Sequence, residues 1–125
     1  MANIILIADD EVDQVATLES FLTQRGYKVI SATNGEQAFS KAVEFQPYLI
    51  VLDVLMPKID GTEVAMLLKN NRRTKHIPIF FVTAVISPED PSEIKDKPNL
   101  VFSKPLKLEA FLEAVRSVST NEATH

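Results

Sequence analysis

Two adjacent carboxylates, Asp9 and Asp10, a third at Asp53, a hydroxyl at Thr83 and an ammonium at Lys104 all stand at the ends of apolar runs, which cover residues 4–8, 49–52, 79–82 and 100–102. A carboxylate can attack phosphorus to form an acyl phosphate, provided charge on nucleophile and donor is neutralised and the transferring oxygens are held in line. Asp53 is the candidate nucleophile. With it, Asp9 and Asp10 supply the hard oxygens that suit Mg2+, whose octahedral shell combines a few carboxylates with waters and a phosphate oxygen. Lys104 offers a mobile cation to a second phosphoryl oxygen, and the Thr83 hydroxyl can donate to a third as charge redistributes. Pro105 restricts the backbone behind Lys104. These residue types at these positions predict an acidic, cation-binding phosphorylation site.

Residues so far apart in sequence need a fold that gathers them. Short apolar runs alternating with helix-period segments predict strands of a parallel sheet, whose functional crevice lies outside the carboxyl ends of the strands. The first strand begins at Asn3 or Ile4. Val15, Leu18, Phe21 and Leu22 then recur at helical spacing up to Gly26, a residue suited to the left-handed turn that closes a helix. Residues 27–32 read as the second strand. Asn34-Gly35 turns into a second helix striped by Ala38, Phe39, Ala42 and Val43, and Pro47 ends that unit. Residues 49–54 are almost wholly apolar, as a central strand covered on both faces requires. Pro57 and Gly61 punctuate the next loop, Val64, Met66, Leu67 and Leu68 define the third helix, and a basic loop leads through Pro78 to the fourth strand at residues 79–82. The fifth strand at residues 100–103 precedes a last helix marked by Leu108, Phe111, Leu112, Val115 and Val118.

Between Thr83 and Lys104 the rhythm breaks. Asp90-Pro91-Ser92-Glu93 would start a helix well, but Pro98 stops it within about two turns, so a short or irregular fourth helix is expected there. The whole is one α/β domain over residues 1–119, with a frayed tail at 120–125. Right-handed crossovers would put helices on both faces of the sheet.

The bulk numbers narrow the function. A chain of 125 residues holds one domain with a real core, and no separate output domain is expected. Thirteen Lys and Arg against seventeen Asp and Glu give a net charge of −4, and the basic residues are scattered except for Lys69, Arg72, Arg73 and Lys75, so direct nucleic-acid binding is not expected. No cysteine is present, which excludes disulfides, thiol catalysis and thiolate metal sites. Without a basic leader or an apolar run of spanning length, a soluble cytoplasmic protein with no membrane insertion is expected.

The ordered set Asp9-Asp10, Asn34-Gly35-Glu36-Gln37-Ala38, Leu52-Asp53-Val54-Leu55-Met56-Pro57, Asp60-Gly61, Thr83 and Lys104-Pro105 resembles the CheY-like receiver domain of two-component response regulators across essentially the whole chain. The resemblance implies a flavodoxin-like, doubly wound sheet of five parallel strands in the order 2-1-3-4-5, the order known for a chemotaxis member of that family. It implies phosphorylation of Asp53 by a histidine kinase or histidine phosphotransfer protein, with Mg2+ held by Asp10, Asp53 and the backbone carbonyl of Leu55, and Asp9 assisting directly or through water. Such a domain is a phosphoacceptor in signal transduction rather than an enzyme, a switch or phosphorelay intermediate whose downstream target is unknown. A monomer is expected, with dimerisation on phosphorylation left open.

The chain departs from the family pattern at Val101, three residues before Lys104, where an aromatic switch residue commonly stands. Phe102 is displaced by one residue and in a strand would face the other way. Rearrangement of the loop after Thr83 is the expected route of switching instead. Leu55 and Val85, two residues after Asp53 and Thr83, flank the path of hydrolytic water in the family, and as apolar residues they predict slow loss of phosphate.

Each feature has a plainer reading. Asp9-Asp10 alone would be an acid pair at a helix start, favoured by the helix dipole, and Thr83 or Lys104-Pro105 alone an ordinary strand end or turn. The conjunction at several strand ends favours the phosphorylation site. His76 reads as a solvated loop residue, His125 as part of the tail, and the Lys69–Lys75 cluster as a solvated helix end, with kinase docking as its functional counterpart. The competing function is a phosphorylation-independent interaction module on the same fold. A flavin carrier or phosphohydrolase is disfavoured by the lack of a glycine-rich loop after the first strand and of an Asp-x-Asp pair.

Overall fold

In the computed structural model, residues 4–53, 61–83, 100–103 and 107–123 are described. Five strands, β1 (Ile4–Ala8), β2 (Lys28–Ala32), β3 (Leu49–Asp53), β4 (Ile79–Thr83) and β5 (Leu100–Ser103), form one parallel sheet in the order β2-β1-β3-β4-β5. This is the expected flavodoxin-like order. The helices in the described residues are α1 (Val12–Thr23), α2 (Gly35–Phe45), α3 (Gly61–Lys69) and α4 (Leu108–Ala123). The segment expected to hold a short helix between Thr83 and Lys104 lies outside the described residues.

The alternation of side chains along each strand divides the interior into two cores. Leu6, Ile50, Leu52, Ile79 and Phe81 pack with Ala38 and Ala42 of α2 and with Val64, Ala65 and Leu68 of α3. Ile5, Ile7, Leu49, Val51, Phe80 and Val82 pack with Val15, Leu18 and Leu22 of α1 and with Phe111, Leu112 and Val115 of α4. All five residues of β3 are buried, which is why its sequence is an unbroken apolar run up to Asp53. Phe80 and Phe111 meet edge to face at 6.0 Å between ring centroids, adding about 0.5–1.5 kcal/mol beyond the area they bury.

Local signals account for the ends of the elements. The Asn34 side chain caps α2 by accepting the Gln37 N–H at 2.9 Å, and the Gln37 side chain accepts from the Thr33 N–H at 3.0 Å. Asn34-Gly35 is thus a helix cap and the first helical residue rather than a free-standing turn. Gly26 closes the chain reversal after α1 with φ of +95°, a left-handed conformation that L side chains rarely adopt. At the end of α2, Gln46 takes φ of +46° and its N–H bonds the Ala42 carbonyl at 2.9 Å, so a non-glycine residue makes the left-handed cap before Pro47.

Three expectations shift. The buried stripe of α3 is Gly61, Val64, Ala65 and Leu68, at offsets of three, four and seven, while Met66 and Leu67 are 61% and 42% exposed. Hydrophobicity misled there because a helix of nine residues turned by its buried glycine and alanine leaves two larger side chains outside. Strand β2 starts at Lys28, since Tyr27 leaves the ladder and stacks on Tyr48 at 6.3 Å. The last helix is continuous to Ala123, so the expected tail boundary at 120 falls inside its final turn.

Candidate functional site

The register of the sheet explains why three carboxylates meet. Strand β1 aligns with β3 so that Ala8 is level with Leu52. One residue further, Asp9 is level with Asp53, on neighbouring strands about 4.8 Å apart. The Asp9 N–H still bonds the Ala32 carbonyl of β2 at 3.0 Å, so Asp9 is anchored to the sheet edge rather than hanging on a loop. Its carboxylate then accepts the Glu11 N–H at 2.9 Å, in the bend that starts α1. The Glu11 side chain makes no capping bond. Asp9 therefore serves the helix start as well as the acid cluster, so the two readings of this residue are compatible.

Asp9 and Asp53 are each only 5% exposed, whereas Asp10 is exposed. One carboxylate oxygen from each of the three lies within 4.8 Å of the others. Two of the acids are thus buried side by side, with the exposed third close to both. Carboxylates brought together at low dielectric repel one another, and a small divalent cation among their oxygens relieves that repulsion. The hard-oxygen donor set, one of its acids exposed, fits Mg2+, which completes its shell with waters or phosphate oxygens.

The β3–β4 pairing puts Asp53 level with Val82, and the β4–β5 pairing puts Thr83 level with Ser103. The backbone of Thr83 therefore ends its strand one step beyond Asp53, on the neighbouring strand. Of Thr83 and Val101 the structure describes the backbone. Leu55, Val85, Lys104 and Pro105 lie outside the described residues, as does His125. His76 is exposed on the loop before β4 and takes no part in the acid cluster. Sequence reasoning missed the backbone N–H of Glu11 as the group that orients Asp9. The signal was the Asp-x-Glu spacing into a helix, where an aspartate bonds the N–H two residues on.

Comparison with known proteins identifies the family and the fold. The model of the response regulator receiver domain matches residues 5–116. The polar-differentiation response regulator DivK of Brucella anthropi is 30% identical over 118 residues, spanning 94% of this chain and 96% of that protein. The alkaline phosphatase synthesis transcriptional regulatory protein PhoP of Bacillus subtilis is 45% identical over 80 residues, which cover 64% of this chain and 32% of that longer protein. Among solved structures, the chemotaxis protein CheY4 of Vibrio cholerae superposes with a TM-score of 0.85 at 28% identity, covering 94% of this chain and 99% of that one. The chain belongs to the response regulator receiver domain family. It is a phosphoacceptor domain of two-component signalling. No helix among the described residues is long and apolar enough to cross a membrane.

Proposed function

We propose that Asp53 is the residue that accepts the phosphoryl group, delivered by a histidine kinase or histidine phosphotransfer protein, and that Asp10 and Asp53 hold Mg2+ there with Asp9 assisting directly or through water. The observation that carries this is the convergence of the three carboxylates at the carboxyl edge of the sheet, two of them buried. A carboxylate oxygen of Asp53 attacks phosphorus as the bond from phosphorus to the donor's imidazole nitrogen breaks. The electron pair stays with the imidazole, which takes up a proton. Mg2+, when bound, neutralises charge on the acids and the phosphoryl oxygens.

The other groups are assigned supporting parts. Asp9, tied to the Glu11 N–H, keeps its carboxylate facing the cluster while α1 begins. Lys104 pairs with a phosphoryl oxygen and Thr83 donates to another, with Pro105 fixing the backbone after the lysine. The backbone carbonyl of Leu55 completes the protein's share of the metal shell. Val101 in place of an aromatic residue makes the loop after Thr83, rather than a moving ring, the reporter of phosphorylation. Leu55 and Val85 lack groups to orient an attacking water, which favours a long-lived acyl phosphate. The domain, residues 1–119, then acts on its downstream protein target as a switch, or passes the group to a second histidine as a relay.

Intact-mass measurement after incubation with acetyl phosphate and Mg2+ tests the assignment. A single phosphoryl adduct, lost in Asp53→Asn and lost again when the metal is chelated, is expected. A folded protein that gains no adduct from acetyl phosphate or from phosphohistidine donors would overturn it in favour of a phosphorylation-independent module.

A further inference from the structure

The densest group of cations lies far from the acid cluster, on the loop between α3 and β4 at the amino edge of the sheet. No aspartate or glutamate occurs between Val64 and Pro88, and this stretch carries Lys69, Arg72, Arg73 and Lys75 in a chain of net charge −4. Arg72, Arg73 and Lys75 are exposed, and none of the four cationic side chains makes a hydrogen bond or ion pair with a described residue. Strand β3 separates this loop from Asp53 by about 13 Å of rise along the sheet. The patch is thus distinct from the phosphoacceptor.

The loop holding these cations is built rather than slack. The Thr74 hydroxyl is buried and donates to the Leu68 carbonyl at 2.7 Å. The Asn71 side chain accepts the Arg73 N–H at 2.9 Å, and its carbonyl accepts from Thr74 at 3.1 Å and Lys75 at 2.9 Å. Ile77 is buried in the core with α2 and α3. Arg72 and Arg73 therefore project from a preorganised turn, and little backbone freedom is left to lose when they engage a partner. Across a shallow groove they face Gln46, the left-handed cap of α2.

Two exposed apolar side chains lie close to this lining in the chain. Phe45, next to Gln46, is 43% exposed. Met66 stands one helical turn before Asn70, whose N–H bonds its carbonyl at 3.1 Å, and is more exposed than Phe45. Two guanidinium groups can receive bidentate carboxylates, and an exposed thioether and aromatic ring on the adjoining helix ends can receive apolar contacts. Glu44 on the last turn of α2 is the nearby opposing charge and leaves the patch positive. Nucleic acid is disfavoured, because the negative net charge repels a polyanion and the cations occupy one turn rather than a track.

We propose that this groove, lined by Gln46, Asn70, Asn71, Arg72 and Arg73, with the exposed Phe45 and Met66 close to that lining in the chain, is a docking surface for an acidic protein segment that carries apolar side chains along one side. The surface is separate from the phosphoacceptor and engages its partner through charge complementarity with an apolar margin.

The test uses the full unphosphorylated chain, labelled with 15N, and a synthetic amphipathic peptide of about five helical turns with glutamate on one face and leucine on the other. The expected result is displacement of the amide signals of Gln46, Asn70, Asn71, Arg72 and Arg73, with those of Asp9 and Asp10 unmoved. The double variant Arg72→Glu, Arg73→Glu should weaken binding by about tenfold or more, while its adduct formation with acetyl phosphate, a check on folding, stays unchanged. Met66→Ser should weaken it about threefold. The absence of peptide binding at these residues would overturn the proposal, as would equal binding of a lysine-for-glutamate peptide or of an alanine-for-leucine peptide. Tighter binding of a short DNA duplex at the same amides would overturn it in favour of nucleic acid.

Discussion

The two faces of the sheet solve the same packing problem with different materials. On the α2 and α3 face, Ala8, Ala32, Ala38, Ala42 and Ala65 are all buried, so small side chains make up much of that core. On the α1 and α4 face the fully buried set has no alanine among the described residues and is filled by Phe80, Phe111, Leu18 and Leu22. Small side chains take a large share of one core, and larger ones fill the other. A tightly closed face tolerates added atoms poorly, whereas a bulky face suffers most when atoms are removed. The difference reaches the site, because α1 starts from Asp9 on the bulky side while α2 carries its own cap on the small side.

Phe111→Ala should give the largest effect, a loss of about 3–5 kcal/mol, since it empties the space against Phe80 at the centre of the bulky face. Urea unfolding followed by circular dichroism measures it, and a loss below about 1 kcal/mol would mean that face collapses easily. Ala42→Leu tests the opposite face and should cost about 1–3 kcal/mol through overpacking. A neutral result there would abolish the contrast between the faces. Next comes Asn34→Ala, expected to cost about 1 kcal/mol by removing the acceptor of the Gln37 N–H, or roughly 4 °C in melting temperature.

The smallest stability change is expected for Asp9→Asn. Its side-chain oxygen can still accept the Glu11 N–H, and a buried negative charge beside Asp53 is removed, so the unfolding midpoint should stay level or rise. Mg2+ affinity, followed by calorimetry, should nonetheless fall by about tenfold or more. Loss of stability without loss of Mg2+ affinity would reassign Asp9 to the start of α1 alone.

Much of this was legible in the chain itself. The unbroken apolar run of β3, the alternation with helical stripes and the polar residue closing each run required a parallel sheet with its site at the carboxyl edge, because a strand buried on both faces can afford polarity only where it leaves the core. The stripe of α3 was less legible. Met66 and Leu67 are more hydrophobic than Gly61 and Ala65, yet the glycine and alanine turn inward and the larger residues face water. Hydropathy ranks residues, whereas the space under the helix selects them.

The chain alone set the order and kind of the strands and helices described and the chemical inventory of the site, since these depend on residues within a few positions of one another. Only the tertiary structure decided that Asp9 stands level with Asp53, that Asp9 is shared between the acid cluster and the start of α1, and that Gln46 faces Arg72 and Arg73 across a groove. Those facts depend on strand register and helix placement, which many distant contacts set together and no local run of residues encodes.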